Sequence, residues 1–147
     1  MNQKKLIIFM PSIEGGGVEK NLIIIANYLS NKIKNISLIS ASKKFKSKFD
    51  KKINFIAPKK NYENFGRKTK YLISLYLLFR EIIKDKNKIV FSFQANIYCI
   101  ILCKLLNIKI IIRSNSSPSG WSKNFFKNLM FKYILKLVDK MIVNSLA

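Results

Sequence analysis

Hydrophobic positions along the chain alternate between short apolar runs and longer segments with helical periodicity. The short runs predict strands at residues 6–10, 36–40, 53–57, 89–93, 108–112 and 141–144. The helical periodicity predicts helices at residues 18–32, 67–86, 95–106 and 122–139. Because strands and helices alternate, we predict an α/β fold with a doubly wound parallel sheet. The run at 108–112 is apolar throughout, as expected for a strand covered on both faces.

The last predicted helix, 122–139, is amphipathic. Its apolar side chains are predicted to face the core: Phe125, Phe126, Leu129, Met130, Tyr133 and Leu137. Its lysines are predicted to face solvent: Lys123, Lys127, Lys132 and Lys136.

In a doubly wound sheet, ligands bind beyond the carboxyl ends of the strands. Three predicted loops at these ends are polar and rich in glycine, serine or asparagine: residues 11–17, 92–96 and 113–120. The turns at the opposite ends consist mainly of lysines. We therefore expect the functional site at the carboxyl edge of the sheet.

Three consecutive glycines, Gly15, Gly16 and Gly17, lie between the first predicted strand and the first predicted helix. Backbone N–H groups and the helix dipole make the start of a helix attractive to anions. The sequence therefore predicts a phosphate-binding turn. The structural alternative is that the glycines only allow a tight turn with positive φ.

Two common nucleotide-binding motifs do not fit this turn. The dinucleotide fingerprint needs a third glycine where Lys20 stands, and the acidic residue expected after the second strand is missing from residues 40–44. An NAD-binding enzyme is therefore disfavoured, although basic residues there would tolerate a 2′-phosphate. A Walker loop is excluded because Val18, not lysine, follows Gly17.

The 147 residues carry a formal net charge of +21, from 28 Lys and Arg against 7 Asp and Glu, with no histidine. Hydrophobic residues make up 49% of the chain, which indicates one globular domain with a core. Nucleic acid, anionic lipid and phosphorylated substrates are the partners that such a charge favours. An AT-rich genome would enrich lysine, isoleucine and asparagine without any selection for binding, so both explanations stay open.

Two cysteines, Cys99 and Cys103, lie four residues apart in an apolar segment. Without histidines or a second cysteine pair they do not indicate a metal site, and we interpret them as buried small hydrophobic residues. No metal and no cofactor are predicted. The lack of a disulfide framework fits a cytoplasmic protein. Residues 97–112 are the most hydrophobic stretch, but polar residues interrupt it and it is too short to span a membrane.

The opening sequence FMPSIEGGGVEKNLIIIANYL, residues 9–29, resembles that of the family 4 glycosyltransferases. These enzymes have two facing Rossmann-like domains, the GT-B fold. Residues 92–118 and 139–145 resemble the same family, so that the resemblance covers nearly the whole chain in order. It implies that residues 1–147 form the Rossmann-like N-terminal, acceptor-side domain, truncated after the sixth strand. The C-terminal donor-binding domain of the family is absent from the sequence.

The resemblance implies an activity. A hexosyltransferase of this type moves a sugar from a nucleotide-sugar, with retention at the anomeric carbon, to a lipid-linked or polysaccharide acceptor. Such reactions build cell-surface glycans such as lipopolysaccharide. The nucleotide-sugar is a substrate, and no cofactor is implied. The chain alone is expected to be inactive, as a fragment, a natural truncation or half of a split enzyme. The sequence does not indicate the donor or the acceptor.

Site residues follow from the resemblance by position. Gly15, Gly16 and Gly17 would offer backbone amides to the donor phosphates. The acceptor-binding candidates are Glu19, Gln94, Asn96, Arg113, Ser114 and Asn115. Glu19 has the alternative role of capping the helix. Many relatives place a histidine after the fifth strand, where this chain has Arg113–Asn115, so no catalytic residue is assigned.

Two basic segments are candidates for contact with an anionic membrane: the helix at 122–140 and the loop at 59–70. Each also has a simpler interpretation, as a core-packing helix with a solvated face and as a solvated loop. We expect a cytoplasmic protein, with a peripheral location on the inner face of the plasma membrane as one possibility. The alternative function is a basic nucleic-acid- or membrane-binding module without catalysis. Nucleic acid is the less favoured partner, because no helix-turn-helix, zinc finger or RNP-type strand is present.

Overall fold

The computed structural model describes residues 4–94, 97–114 and 125–143, with the side chains of 125–128 excepted. In these residues six parallel strands form one sheet with the order β3-β2-β1-β4-β5-β6. The strands are β1 (Lys5–Phe9), β2 (Ile36–Ile39), β3 (Asn54–Ile56), β4 (Lys88–Ser92), β5 (Lys109–Ser114) and β6 (Lys140–Val143). The helices are α1 (Gly17–Ser30), α2 (Arg67–Lys84), α3 (Ile97–Leu105) and α4 (Phe125–Lys136).

The predicted doubly wound parallel sheet is confirmed. The strand order reverses between β1 and β4, which are hydrogen-bonded neighbours although two helices and two strands separate them in sequence. The register places Leu6 opposite both Ile36 of β2 and Ile89 of β4. Ligands bind at such a reversal in open α/β sheets. The topology therefore predicts a ligand site at the carboxyl ends of β1, β4 and β5.

Two hydrophobic layers cover the two faces of the sheet. Successive residues of β1 point to opposite faces, so Ile7 packs against α2 and α3 whereas Ile8 packs against α1. Cys99 and Cys103 are fully buried in the first layer, as their apolar surroundings predicted.

The outward face of α4 differs from the prediction. Leu129, Met130, Tyr133 and Leu137 are 40–61% exposed, whereas they were predicted to face the core. The residues that pack against the core are Ile134, Leu135 and Val138. Apolar residues lie on both sides of this helix, so its hydrophobic pattern did not define a single inner face.

The lysine-rich connection at 43–52 has a defined course. It follows β2, includes a 3-10 turn at Lys46–Lys48, and is fastened to α1 through Asn27. The side-chain amide of Asn27 donates to the carbonyl of Lys48 at 3.0 Å, and its oxygen accepts from the backbone N–H of Asp50 at 2.8 Å. Because β2 is parallel to β1, the connection begins at the carboxyl edge, and the bonds of Asn27 hold its later part against the second half of α1.

Candidate functional site

The turn after β1 is anchored to its neighbours on both sides. The carbonyl of Pro11 accepts hydrogen bonds from the backbone N–H of Ala41 at 3.1 Å and from the hydroxyl of Ser74 at 3.3 Å. Ser74 is completely buried in α2. These bonds fix the turn relative to the segment after β2 and to α2, so the start of α1 has a defined position at the carboxyl edge.

The three glycines of the turn differ in what the fold requires of them. Gly15 has φ +94°, in the left-handed region that favours glycine. Gly16 precedes α1 with extended backbone, and Gly17 is the first helical residue. Among the described residues, nothing lies within 4 Å of a Cβ built on Gly17. The backbone conformation therefore explains only the first of the three glycines.

The side chain of Glu19 lies over the start of α1. A Cβ built on Gly16 would lie 2.8 Å from Oε2 of Glu19. A carboxylate in the first turn of a helix is favoured by the helix dipole. Glu19 thus occupies the region where an anionic ligand would approach, and its roles in acceptor binding and in stabilising the start of α1 both stay predictions.

Phe45 and two lysines form a cluster beside the glycine turn that the sequence did not reveal. A Cβ built on Gly15 would lie 3.1 Å from Cζ of Phe45. The ammonium groups of Lys44 and Lys48 lie 5.6 and 5.3 Å from the centroid of the Phe45 ring, within the range of cation–π attraction. The available signal was a phenylalanine surrounded by lysines in the segment KKFKSKF.

Glu14 links the turn to the start of α2. Its carboxylate accepts a hydrogen bond from the hydroxyl of Ser12 at 2.9 Å and pairs with the guanidinium of Arg67 at 3.1 Å. The Ser12 bond, followed by the Arg67 bond, lowers the pKa of Glu14 below its ordinary value. Glu14 therefore stays ionised near neutral pH and joins Arg67 to the turn.

The second loop follows β4 and is tied to β1. The backbone N–H of Phe93 donates to the carbonyl of Phe9 at 3.1 Å, and the hydroxyl of Ser92 donates to the carbonyl of Gln94 at 2.6 Å. Gln94 is exposed at the carboxyl edge. Asn96 lies outside the described residues. Of the two candidates from this loop, Gln94 is placed where a ligand can reach it.

Arg113 and Ser114 were predicted in a loop, but they are the last residues of β5. They belong to the strand because they pair with Ile142 and Val143 of β6. Both are buried, and the guanidinium carbon of Arg113 lies 4.7 Å from the centroid of the Phe93 ring. This contact fixes the positive charge of Arg113 beside the second loop. Asn115 lies outside the described residues.

The predicted site residues that the structure describes lie at one edge of the sheet. Adjacent strands lie about 4.8 Å apart, so the ends of β1 and β5 are about 10 Å apart on either side of β4. Gly15–Gly17, Gln94 and Arg113 therefore line one continuous edge. The helix N–H groups at one end of this edge favour a ligand with negative charge, and the guanidinium of Arg113, buried against Phe93, adds positive charge at the other end.

No protein-family model matches this sequence, and no curated protein matches it. Solved structures do match. UGT2 from Phytolacca americana, complexed with UDP-2fluoro-glucose and pterostilbene, is 10% identical with a TM-score of 0.63, over 99% of this chain and 49% of that one. HepE from Anabaena, in complex with UDP and glucose, is 15% identical with a TM-score of 0.62, over 97% of this chain and 38% of that one.

A UDP-glucosyltransferase from Polygonum tinctorium, capable of glucosylating indoxyl, is 15% identical with a TM-score of 0.60, over 99% of this chain and 47% of that one. This chain thus spans about half the length, or less, of these solved structures. At identities of 10–15% the similarity shows a common fold. The Rossmann-like fold predicted from the sequence is therefore also found in one part of known UDP-sugar glycosyltransferase structures.

Proposed function

We propose that this chain is the N-terminal, acceptor-side domain of a retaining family 4 glycosyltransferase that uses a nucleotide-sugar in cell-surface glycan synthesis. The observation that carries the proposal is the start of α1. Gly16 and Gly17 occupy positions where neither backbone conformation nor the packing of the core requires glycine. They leave the helix N-terminus without side chains at the edge where ligands bind in this fold.

The chemistry of this position favours the diphosphate of a nucleotide-sugar. The first N–H groups of a helix have no acceptor within the helix, and the helix dipole adds partial positive charge. Two ammonium groups, of Lys44 and Lys48, lie on the neighbouring Phe45 ring. Phosphate oxygens would approach the bare backbone closely and would gain from both lysines. Glu19 would have to move aside as the ligand enters.

The structures of similar fold support the choice of ligand. UGT2 was solved with UDP-2fluoro-glucose, and HepE with UDP and glucose. By analogy of fold, we assign a nucleotide-sugar, with hexosyl transfer, to this chain. We further propose that a separate C-terminal domain binds most of the donor, so that the 147 residues bind nucleotide weakly and do not turn over a sugar alone.

The acceptor is proposed to lie along the ends of β4 and β5. Gln94 is exposed there, and Arg113 holds a positive charge against Phe93. A fixed guanidinium suits a phosphate group, such as that of a lipid-linked acceptor. Asn96 and Asn115 stay predicted members of this acceptor site. A lipid-linked acceptor would place the protein peripherally on the inner face of the plasma membrane.

A titration of the ¹⁵N-labelled chain with UDP tests the phosphate site. We expect chemical-shift changes at Gly15, Gly16 and Gly17, and we expect Gly16→Val to remove them because a β-branched side chain blocks the approach of phosphate. Gly66→Val is a matched control, since Gly66 also precedes a helix with extended backbone. Equal binding of UDP by the Gly16→Val variant would refute the site.

Two further outcomes bear on the assignment. Salt-dependent binding of RNA or DNA at nanomolar concentrations, without a response to UDP, would favour the nucleic-acid-binding module instead. Once a donor-binding domain is supplied, the anomeric configuration of the product, read by NMR, tests retention. An inverted product would overturn the retaining part of the proposal while leaving the phosphate site intact.

A further inference from the structure

We infer that an exposed apolar surface on α2 and α3 rests on an anionic lipid bilayer. This α2–α3 surface is formed by Leu72, Tyr76, Phe79, Tyr98, Ile101 and Leu105. The inference adds a contact surface to the membrane location proposed above. It rests on the proposed function only for the choice of the inner face of the plasma membrane. It concerns a part of the molecule that the phosphate site does not use.

Helix α2 is apolar on two opposite sides. Leu78 and Ile82 are completely buried against the sheet, whereas Leu72, Tyr76 and Phe79 are 67%, 60% and 38% exposed. With 3.6 residues per turn, the three exposed residues fall within an arc of about 60°. A helix that is apolar on both sides is expected to be covered on both.

Helix α3 continues the same surface. Tyr98, Ile101 and Leu105 follow one another at helical spacing and are 67%, 36% and 79% exposed. Between the two helices lies an open groove of about 330 Å³, whose lining includes Leu75 and Leu102. A contiguous apolar patch of this kind marks an interaction site more often than a scattered single residue does.

The charged residues of the two helices are mainly basic, although Lys70 is buried and Arg67, Lys84 and Lys104 are each paired with a carboxylate. The two helices contain five Lys or Arg residues in α2 and one in α3, against a single acidic residue, Glu81. Glu81 is paired with Lys84 at 2.5 Å. The guanidinium of Arg80 lies 5.9 Å from the centroid of the Tyr76 ring, at the margin of the α2–α3 surface. Basic side chains at the edge of an apolar face are typical of helices that bind anionic lipid.

The net charge of the chain favours a bilayer over a second copy of the chain as the partner of the α2–α3 surface. A second copy of this chain would bring another charge of +21 against the first, which opposes self-association through this surface. An anionic bilayer instead has the opposite charge, and its acyl chains can bury the apolar side chains of the α2–α3 surface. Tyr76 and Tyr98, with amphipathic rings, suit the headgroup region. The surface also begins at the edge of the sheet that carries Gln94, so a lipid-linked acceptor would meet the site from the membrane.

This location differs from the two basic segments that the sequence suggested. Within the described residues 4–94, 97–114 and 125–143, no helix combines the length and apolar character needed to cross a bilayer. The α2–α3 surface therefore predicts binding parallel to the membrane plane, with the helices lying on the headgroups and not through them.

Flotation of the 147-residue chain with vesicles tests the inference. The vesicles consist of phosphatidylcholine, either alone or mixed with phosphatidylglycerol. We expect binding to the mixed vesicles only, with partition reduced at least about tenfold by Tyr76→Ser combined with Leu105→Ser. The matched control is Ile24→Ser with Tyr28→Ser on α1, which also removes one aliphatic and one tyrosine side chain at positions 65% and 62% exposed.

The outcomes separate the alternatives. Absence of binding to the mixed vesicles, equal binding to both vesicle types, or an equal loss in the α1 variant would each overturn the inference. A concentration-dependent dimer that Tyr76→Ser with Leu105→Ser abolishes would assign the surface to a second copy instead. The variant with Tyr76→Ser and Leu105→Ser should bind UDP as the wild-type chain does. Vesicle flotation therefore tests the membrane inference, and UDP titration tests the phosphate site independently.

Discussion

The ring of Phe45 packs against Gly15, and a Cβ on this glycine would lie 3.1 Å from Cζ of Phe45. Gly15 also has φ +94°, where a side chain would be strained. Thirty positions separate the two residues in sequence, yet their contact fixes the turn before α1 against the lysine-rich connection. The turn is therefore a packing element as well as the proposed phosphate site.

We expect Gly15→Ala to lower the free energy of unfolding by about 1–3 kcal/mol, because the methyl group meets Phe45 and the backbone is left strained. Urea unfolding followed by circular dichroism measures the change. Gly17→Ala is the control, since a Cβ there meets no atom of the described residues within 4 Å. In a helix it should be neutral or stabilising by up to about 1 kcal/mol. Equal losses in both variants would contradict the assigned role of Gly15.

The sheet could be predicted because each strand and helix carries its own local signal. β4 and β5 are short apolar runs, and α2, α3 and α4 have helical spacing before, between and after them. The alternation then favours a parallel sheet without any knowledge of long-range contacts. The orientation of α4 could not be predicted in this way, because apolar residues lie on two of its sides and the hydrophobic pattern does not rank them.

The candidate site was predicted in part. The glycine turn was found because glycine and helix start are adjacent in sequence, and the loop order then placed Gln94 and Arg113 on the same edge. The contact of Arg113 with Phe93 and the cluster around Phe45 were missed. Both depend on contacts between different elements, and such contacts produce no periodic pattern in the sequence.

Removing the carboxylate of Glu19 should strengthen the binding of UDP. Oε2 of Glu19 lies beside Gly16, where it competes with phosphate and repels it. We expect Glu19→Gln to raise the affinity about 2–5-fold at low salt, in line with the energy of one charge at a helix terminus. Isothermal titration calorimetry measures the affinity. Asp85→Asn, which removes a charge at the opposite edge, should leave it unchanged, and a matching gain there would show a general charge effect.

Lys48 is predicted to contribute to phosphate binding from its place on the Phe45 ring. We expect Lys48→Gln to weaken UDP binding about 2–5-fold, with a smaller salt dependence, because one cation near the phosphates is lost. Lys32→Gln is a matched control, since Lys32 also lies over an aromatic ring, that of Tyr28, at 6.0 Å from the centroid. Equal weakening by the two substitutions would remove Lys48 from the site.

The carboxylate of Asp139 joins α3 to the sheet and should make stability depend on pH. Its Oδ2 accepts hydrogen bonds from Nζ of Lys104 at 2.7 Å and from the backbone N–H of Ile110 at 2.8 Å. Burial alone would raise the pKa of Asp139, but the hydrogen bonds from Lys104 and Ile110 outweigh it and lower the pKa. Because the folded pKa lies below the unfolded one, this stabilisation is present at neutral pH and is lost as the pH falls through the folded pKa.

We expect Asp139→Asn to cost about 1 kcal/mol at neutral pH, a modest value because the ion pair is about one third exposed. Urea unfolding of both proteins near pH 7 and near pH 3 measures the difference. The wild-type protein should lose stability on acidification through Asp139 and through Glu14, whose pKa is also lowered. The difference between the two proteins should therefore shrink at the lower pH. A difference that stays constant would mean that the carboxylate is not the stabilising group, and that Asp139 acts through its shape alone.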